Sequence, residues 1–353
     1  MTALKAQLLA RIDASGPLTV AEYMAECLLH PTLGYYATRD PLGLKGDFTT
    51  APEISQMFGE MIGLALAQSW IDQGRPAPFT LAEAGPGRGT LMADVLRVAR
   101  AVPGFLDAAE IHLIEVSPVL RALQHEALEG VDAAWHDHIG DLPEQPLFFI
   151  ANEFFDALPI RQYVRDQDGW RERVVSAQDG DLGFSLGPAL PQAALDHRLE
   201  DTEDGQLVEH CQVGELVVGE IAALIERHGG AAFLIDYGDW VSLGDTFQAL
   251  KNHTFEDPLL HPGEADLTAH GDFEALARSV TCQYSRLTPQ GIFLGKPVKG
   301  TTREWSADAM SGEQLESHIA AHRRLTHPEE MGNLFKVLAL FPQGAAPPPG
   351  VEI

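Results

Sequence analysis

The sequence predicts an α/β fold built on a mostly parallel, Rossmann-like doubly wound sheet. Three observations carry this. Apolar strand-like runs alternate with helix-compatible segments from Phe79 to Asn152, the order expected of parallel crossover connections. The run Phe79–Ala84 carries an acid, Glu83, turns through Gly85, Gly87 and Gly89, and passes into a helical pattern. A second apolar run, Ala109–Val116, also carries an acid at its end, Glu115.

Taken in order, residues 1 to about 30 read as two helices. Leu4, Leu8, Leu9 and Ile12 share one face of the first, and Pro17-Leu18-Thr19 opens the second around Val20, Tyr23 and Met24. A glycine-rich irregular stretch follows, then a long helix from about Pro52 to Gln73 with Phe58, Ile62, Leu66 and Trp70 on one stripe. The alternation then gives strand 79–84, helix 89–101, strand 110–116, helix 118–129, strand 131–135 and strand 147–152. Past Pro159 the pattern breaks. Gln162–Val164 and Trp170–Val175 flank Asp166-Gln167-Asp168-Gly169, a hairpin signal, and 180–205 is polar and rich in proline and glycine. Helix 214–228 and strand 231–237 resume the alternation, and a loop over 238–272 leads to helix 273–278, strand 280–286, helix 313–325 and strand 334–340. The expected organisation is a helical extension and crevice lid over 1–75, a main domain over 76–341 with an insertion at about 160–213, and a mobile tail over 342–353.

Composition narrows the function classes. Lys+Arg is 24 and Asp+Glu is 51, a formal net charge of −27. That balance works against direct nucleic-acid binding, which needs a basic surface, and suits basic protein partners or simply solubility. The three cysteines, Cys27, Cys211 and Cys282, are far apart and form no metal or redox motif. No apolar run reaches the length of a membrane span, and no apolar signal core opens the chain. A bacterial cytoplasmic protein without membrane insertion is the expectation; the oligomeric state is open.

The glycine turn suggests a ligand. Glycines let the backbone turn sharply and let a ligand lie against it, and the N–H groups of the next helix favour polar or negative groups. A dinucleotide fingerprint would read G-x-G-x-x-G. Here the third glycine comes one residue early, and Glu83 would repel a pyrophosphate. A carboxylate there suits an ammonium group, such as the methionine end of S-adenosylmethionine. Glu115 could accept hydrogen bonds from both ribose hydroxyls. The plain alternatives are a tight αβ connection and a solvated strand-end acid. Asn152-Glu153-Phe154-Phe155-Asp156 follows the fourth strand, where polar groups face the crevice of an open sheet. Glu153 and Asp156 can hold a guanidinium in two places or accept its proton; otherwise Asp156 caps a loop and Glu153 is solvated. His318 and His322 lack the companion glutamate of a zinc helix. Gly43–Thr50 fails the phosphate-loop spacing and reads as a lid.

Several segments together resemble the MidA family, S-adenosylmethionine-dependent methyltransferases related to the mitochondrial complex I assembly factor. They are Gly34-Tyr35-Tyr36, Gly46–Glu60, Glu83–Leu91, Asn152–Pro159, Ile235-Asp236-Tyr237-Gly238 and Met331–Leu338. Ala51 stands where a serine is common, and Asn152 where the mitochondrial relatives tend to carry histidine. The resemblance implies a class I methyltransferase fold, S-adenosylmethionine as cofactor, and arginine N-methylation of a protein substrate, a complex I core subunit among the relatives. The resulting assignment gives Glu83, Gly85, Gly87 and Gly89 the methionine end, Glu115 the ribose, Asp137 the adenine edge and Asn152 a place on the cofactor side. Glu153 and Asp156 are the catalytic candidates. Tyr36, Asp47, Phe48, Thr49 and Thr50 are the lid or substrate candidates. Two alternatives stand beside it, a catalytically silent assembly scaffold and a nicotinamide-dependent oxidoreductase.

Overall fold

The computed structural model describes residues 2–38, 50–296 and 312–353, which fall into two compact units. The first unit gathers residues 50–155, 217–238 and the described part of the chain after 275.

Its sheet begins from two strands with every residue buried, Phe79–Ala84 and Leu147–Asn152. Such unbroken burial is what a parallel sheet covered on both faces requires. The strand order is Gln283–Tyr284, Phe335–Phe341, Gly230–Asp239, Leu147–Asn152, Phe79–Ala84, Ala109–Ile114, Ala133–His136. The last five are mutually parallel, and Phe335–Phe341 runs antiparallel to both of its neighbours. The chain order reverses between Phe79–Ala84 and Leu147–Asn152, the point where an open sheet leaves a crevice at its carboxyl edge. This is the α/β, Rossmann-like doubly wound arrangement that the sequence predicts.

The core on this sheet includes Trp70, Phe79, Phe105 and Phe148. Their rings meet in tilted and edge-on pairs, with Phe79 centred 4.9 Å from Phe105 and 5.1 Å from Phe148. Each such pair adds roughly 0.5–1.5 kcal/mol beyond area burial. The helix Gln56–Asp72 lies on the helix Thr90–Ala99 through Gly59 and Gly63. A Cβ on Gly59 would stand 2.6 Å from the Asp94 Cβ, and one on Gly63 would stand 2.8 Å from Val98 Cγ1.

The second unit gathers the N-terminal segment with 156–216 and 239–275. Its helices Ala3–Ser15 and Val20–Leu29 bury Leu4, Leu8 and Ile12, and Tyr23, Met24 and Cys27, in one cluster with Phe247, Leu259 and Leu267. Thr19 and Glu22 form a capping box that starts the second helix. The antiparallel sheet runs Leu18–Thr19, Gly169–Gln178, Arg161–Asp166, Leu207–His210, with Asp181–Leu190 on Gly169–Gln178.

Several local expectations change. The helix expected from 52 to 73 is two pieces, Ala51–Ile54 and Gln56–Asp72. Ser55 between them is extended (φ −159°, ψ 134°), and its side chain accepts from the Met57 N–H as the cap of the second piece. The loop expected over 238–272 holds three strands, Gln248–Lys251, Thr254–Glu256 and Asp266–Thr268. The polar stretch after 180 holds the strand Asp181–Leu190, whose Pro188 is tolerated because that strand is an edge. The strand expected over 280–286 is only Gln283–Tyr284. The tail is anchored rather than loose: the Arg286 N–H donates to the Glu352 carbonyl, the Glu352 N–H donates to Thr288 Oγ1, and Val351 packs on the core. The partition also differs from a boundary near 75, since the helix Gln56–Asp72 belongs with the parallel sheet.

Gly59→Ala tests the helix contact. Alanine gains about 1 kcal/mol of helix propensity, but its methyl meets the Asp94 Cβ, an atom that moves only with its helix. We expect a net destabilisation on the order of 1–2 kcal/mol in urea titration, with overpacking outweighing propensity. A stabilised variant would mean that the two helices can separate freely.

Candidate functional site

The carboxyl edge of the parallel sheet brings together Glu83, the glycine turn, Glu115, Asn152 and Glu153, all within the first unit. Gly85, Gly87 and Gly89 all have positive φ, 62°, 55° and 84°. That explains three glycines at alternating positions, because side chains are strained there. The Gly85 N–H donates to the Ile114 carbonyl, and the Gly89 N–H to the Pro86 carbonyl at 2.7 Å. Gly89 caps the helix Thr90–Ala99 and leaves its first N–H groups at the turn.

Glu83 is 2 % exposed, and its Oε2 has no hydrogen-bond partner. Burial pushes its carboxyl from the ordinary 4.5 up to about 8, against a smaller lowering by the Met92 backbone. Asn152 ends the neighbouring strand, is 7 % exposed, and has an Oδ1 with no partner. Its Nδ2 donates to Glu153 Oε1 at 3.1 Å. Two buried acceptors without donors on adjacent strands fit an incoming cationic N–H group, since an unmet buried acceptor is costly. The ammonium of S-adenosylmethionine is such a group, so these residues fit that cofactor.

Glu115 is held from two sides. Its Oε1 accepts from the Ser117 N–H at 2.7 Å, and its Oε2 from Gln124 Nε2 at 3.2 Å. Burial raises its pKa, with the Ser117 N–H and Gln124 acting the other way. Asp137 lies just past the strand Ala133–His136. Its carboxylate is exposed and accepts from Arg121 at 2.6 Å, while Arg121 also donates to the Glu115 and His136 carbonyls.

Glu153 is one of the few non-glycine residues with positive φ, 51°. Such a conformation persists when its surroundings hold it, and it marks functional positions. Its N–H donates to the Ile235 carbonyl, and its Oε1 also accepts from the Ala51 N–H at 3.2 Å. Thr50, directly before Ala51, accepts the Glu53 N–H on its carbonyl. Asp236 is buried and clamps this corner by accepting from the Phe155 and Tyr237 N–H groups.

Asp156 and Tyr36 belong to the other unit. Tyr36 donates to Asp266 Oδ1 at 2.8 Å, and both carboxylates are buried. The Tyr36 hydroxyl is pushed well above its usual range, first by burial and then by Asp266 and Asp156. Asp47, Phe48 and Thr49 lie outside the described residues. Among the described residues no group of three or more His, Cys, Asp or Glu could hold a metal, and no helix is long and apolar enough to cross a membrane.

The sequence reading missed Gln124, Arg121, Ser117 and Asp236. Gln124 left a signal: it occupies the apolar stripe between Leu120 and Leu128, where a polar side chain needs a reason.

The raised Glu83 carboxyl gives a linkage prediction. Between about pH 4.5 and 8 the folded protein keeps this proton while the unfolded chain releases it. Stability therefore falls as pH rises through that window. A bound ammonium favours the carboxylate, so binding expels the proton. Affinity for S-adenosylhomocysteine should rise up to ~10-fold per pH unit toward pH 8, with proton release visible in calorimetry across buffers of different ionisation enthalpy. Glu83→Gln should remove the pH dependence, weaken binding, and raise the melting temperature of the ligand-free protein by a few degrees above pH 8. A pH-independent wild-type affinity would place Glu83 away from the ligand.

Known proteins carry the same architecture. Residues 61–292 match the family described as "Putative S-adenosyl-L-methionine-dependent methyltransferase". A Drosophila melanogaster protein named "Protein arginine methyltransferase NDUFAF7 homolog, mitochondrial" is 38% identical, covering 96% of this chain and 85% of its own. The Homo sapiens protein arginine methyltransferase NDUFAF7 is 34% identical over 97% of this chain and 84% of its own. A Burkholderia thailandensis crystal structure bound to S-adenosyl-homocysteine superposes with a TM-score of 0.83 at 28% identity, covering 99% of this chain and 94% of its own. The nicotinamide alternative falls away. With its strand order, its glycine turn and these relatives together, the chain belongs to the S-adenosylmethionine-dependent methyltransferase family.

Proposed function

We propose that this methyltransferase is a protein arginine N-methyltransferase, with a respiratory complex I-type subunit as its substrate. The observation that carries the reading is Glu153. It is a carboxylate in a strained backbone conformation at the end of a central strand, held by the Ala51 N–H and the Asn152 amide. A fixed carboxylate beside the cofactor edge suits a guanidinium, which it can orient in plane and whose proton it can accept. The names of the relatives, arginine methyltransferases over nearly the whole chain, support the same substrate class.

When bound, S-adenosylmethionine supplies an electrophilic methyl group on a sulfonium. Glu83 and Asn152 would hold its ammonium, the Gly85–Gly89 turn its methionine end, Glu115 its ribose, and Asp137 the adenine edge. In a displacement at carbon the protein's contribution is position and charge. Glu153 supplies both toward the acceptor nitrogen. Asp156 retains a substrate-side assignment that rests on its place in the sequence, three residues after Glu153, and its own variant tests it. Tyr36 and Thr50 remain substrate-side candidates on the same footing.

Glu153→Ala should lower methyl transfer by about 10²–10⁴-fold while leaving S-adenosylhomocysteine affinity within about threefold, because its charge matters only with substrate present. The substrate is tested by mass spectrometry of the complex I-type subunit from cells with and without this protein. Arginine methylation that disappears with the protein supports the reading. Equal methylation in both, or wild-type turnover by Glu153→Ala on that subunit, overturns it in favour of a scaffold that retains the cofactor site.

A further inference from the structure

Gln124 sits in the helix Pro118–Ala127 with no exposed surface. An amide in that position needs all its partners, and it has them on three different elements. Nε2 donates to the Gly87 carbonyl at 2.8 Å and to Glu115 Oε2 at 3.2 Å. Oε1 accepts from Trp135 Nε1 at 2.9 Å. An indole N–H can only donate. It therefore fixes which end of the amide faces Trp135, and both amide protons must face Gly87 and Glu115. The helix is close against the turn, with a Cβ on Gly89 falling 3.4 Å from the Gln124 Cα.

We propose that Gln124 is a positioning residue that couples the methionine side of the cofactor site to its ribose side. The inference rests on the assignment of Gly87 and Glu115 to the cofactor. A carboxylate offers about four acceptor directions. Ser117 holds Oε1 and Gln124 holds Oε2, so the plane of the carboxylate is fixed for a vicinal diol to approach. The same amide pins the Gly87 carbonyl, which sets the peptide plane at the centre of the glycine turn. One side chain thus holds the turn and the carboxylate at a fixed separation, and Trp135 keeps it from flipping. Without it the Glu115 carboxylate loses its anchor on Oε2, and the Gly87 carbonyl loses its link to Glu115 and Trp135.

The test is S-adenosylhomocysteine calorimetry on wild type, Gln124→Leu, Glu115→Ala and the double variant, with melting temperatures of the ligand-free proteins. Gln124→Leu should weaken binding about ten- to a hundredfold, and Glu115→Ala by about one to three decades. The double variant should bind more tightly than the product of the two single losses predicts, since part of the Gln124 effect runs through the Glu115 carboxylate. A merely structural glutamine would give losses that multiply, or wild-type affinity in Gln124→Leu; either overturns the proposal. Wild-type affinity in Glu115→Ala instead overturns the cofactor assignment itself. If Gln124→Leu does not fold, Trp135→Phe removes only the amide's orienting donor. Several-fold weaker binding at a melting temperature within a few degrees of wild type supports the proposal, and unchanged binding overturns it.

Discussion

The site depends on buried acceptors that the protein alone does not satisfy. Glu83 and Asn152 lie at the carboxyl ends of two neighbouring, fully buried strands, Glu83 one residue before the last and Asn152 the last, and each keeps an oxygen without a donor. Their cost is carried by the packing around them, where Phe79, Phe148 and the covering helices hold the strands in register. A sheet able to hold an unmet carboxylate at the end of a central strand can offer it to a cationic ligand. A solvated carboxylate would bind the same cation weakly, because water competes for both partners.

Around this pair the remaining parts have separable tasks. The alternating glycines shape the turn with backbone conformations that side chains resist. Glu115 is presented by donors from its own loop and from the next helix. Glu153 differs from both. Its φ is positive, and its carboxylate is tethered by the Ala51 N–H and the Asn152 amide. The positive φ of Glu153 and the unmet oxygens of Glu83 and Asn152 lie at the same sheet edge.

The second unit has a different construction. Three stretches of chain far apart in sequence build one antiparallel sheet, one three-stranded sheet and two apolar clusters. One group of buried polar side chains there is mutually satisfied. Gln162, Glu209 and Thr246 form a hydrogen-bonded group, and Arg173 reaches both Gln162 and Asp245. Such a group fixes side-chain geometry only while every member is present.

Much of the parallel sheet was legible in the sequence, because its signals are local. Unbroken apolar runs gave the strands, Gly85, Gly87 and Gly89 gave the turn, and Glu83 and Glu115 stood out as acids at strand ends. Glycine spacing and acid placement also pointed to a nucleoside ligand with an ammonium group, and the family bears out that cofactor. What tertiary structure decided is what depends on distant partners. The strand Asp181–Leu190 looked like a polar loop because its stability comes from pairing with Gly169–Gln178, and its own composition gives little sign of it. The segment 238–272 hid three strands for the same reason. Ser55 broke a helix whose apolar stripe continued, since a cap is a matter of backbone angle. Gln124 showed only as a polar residue on an apolar stripe. That it joins Gly87, Glu115 and Trp135 follows from three elements meeting in space, which chain order does not encode.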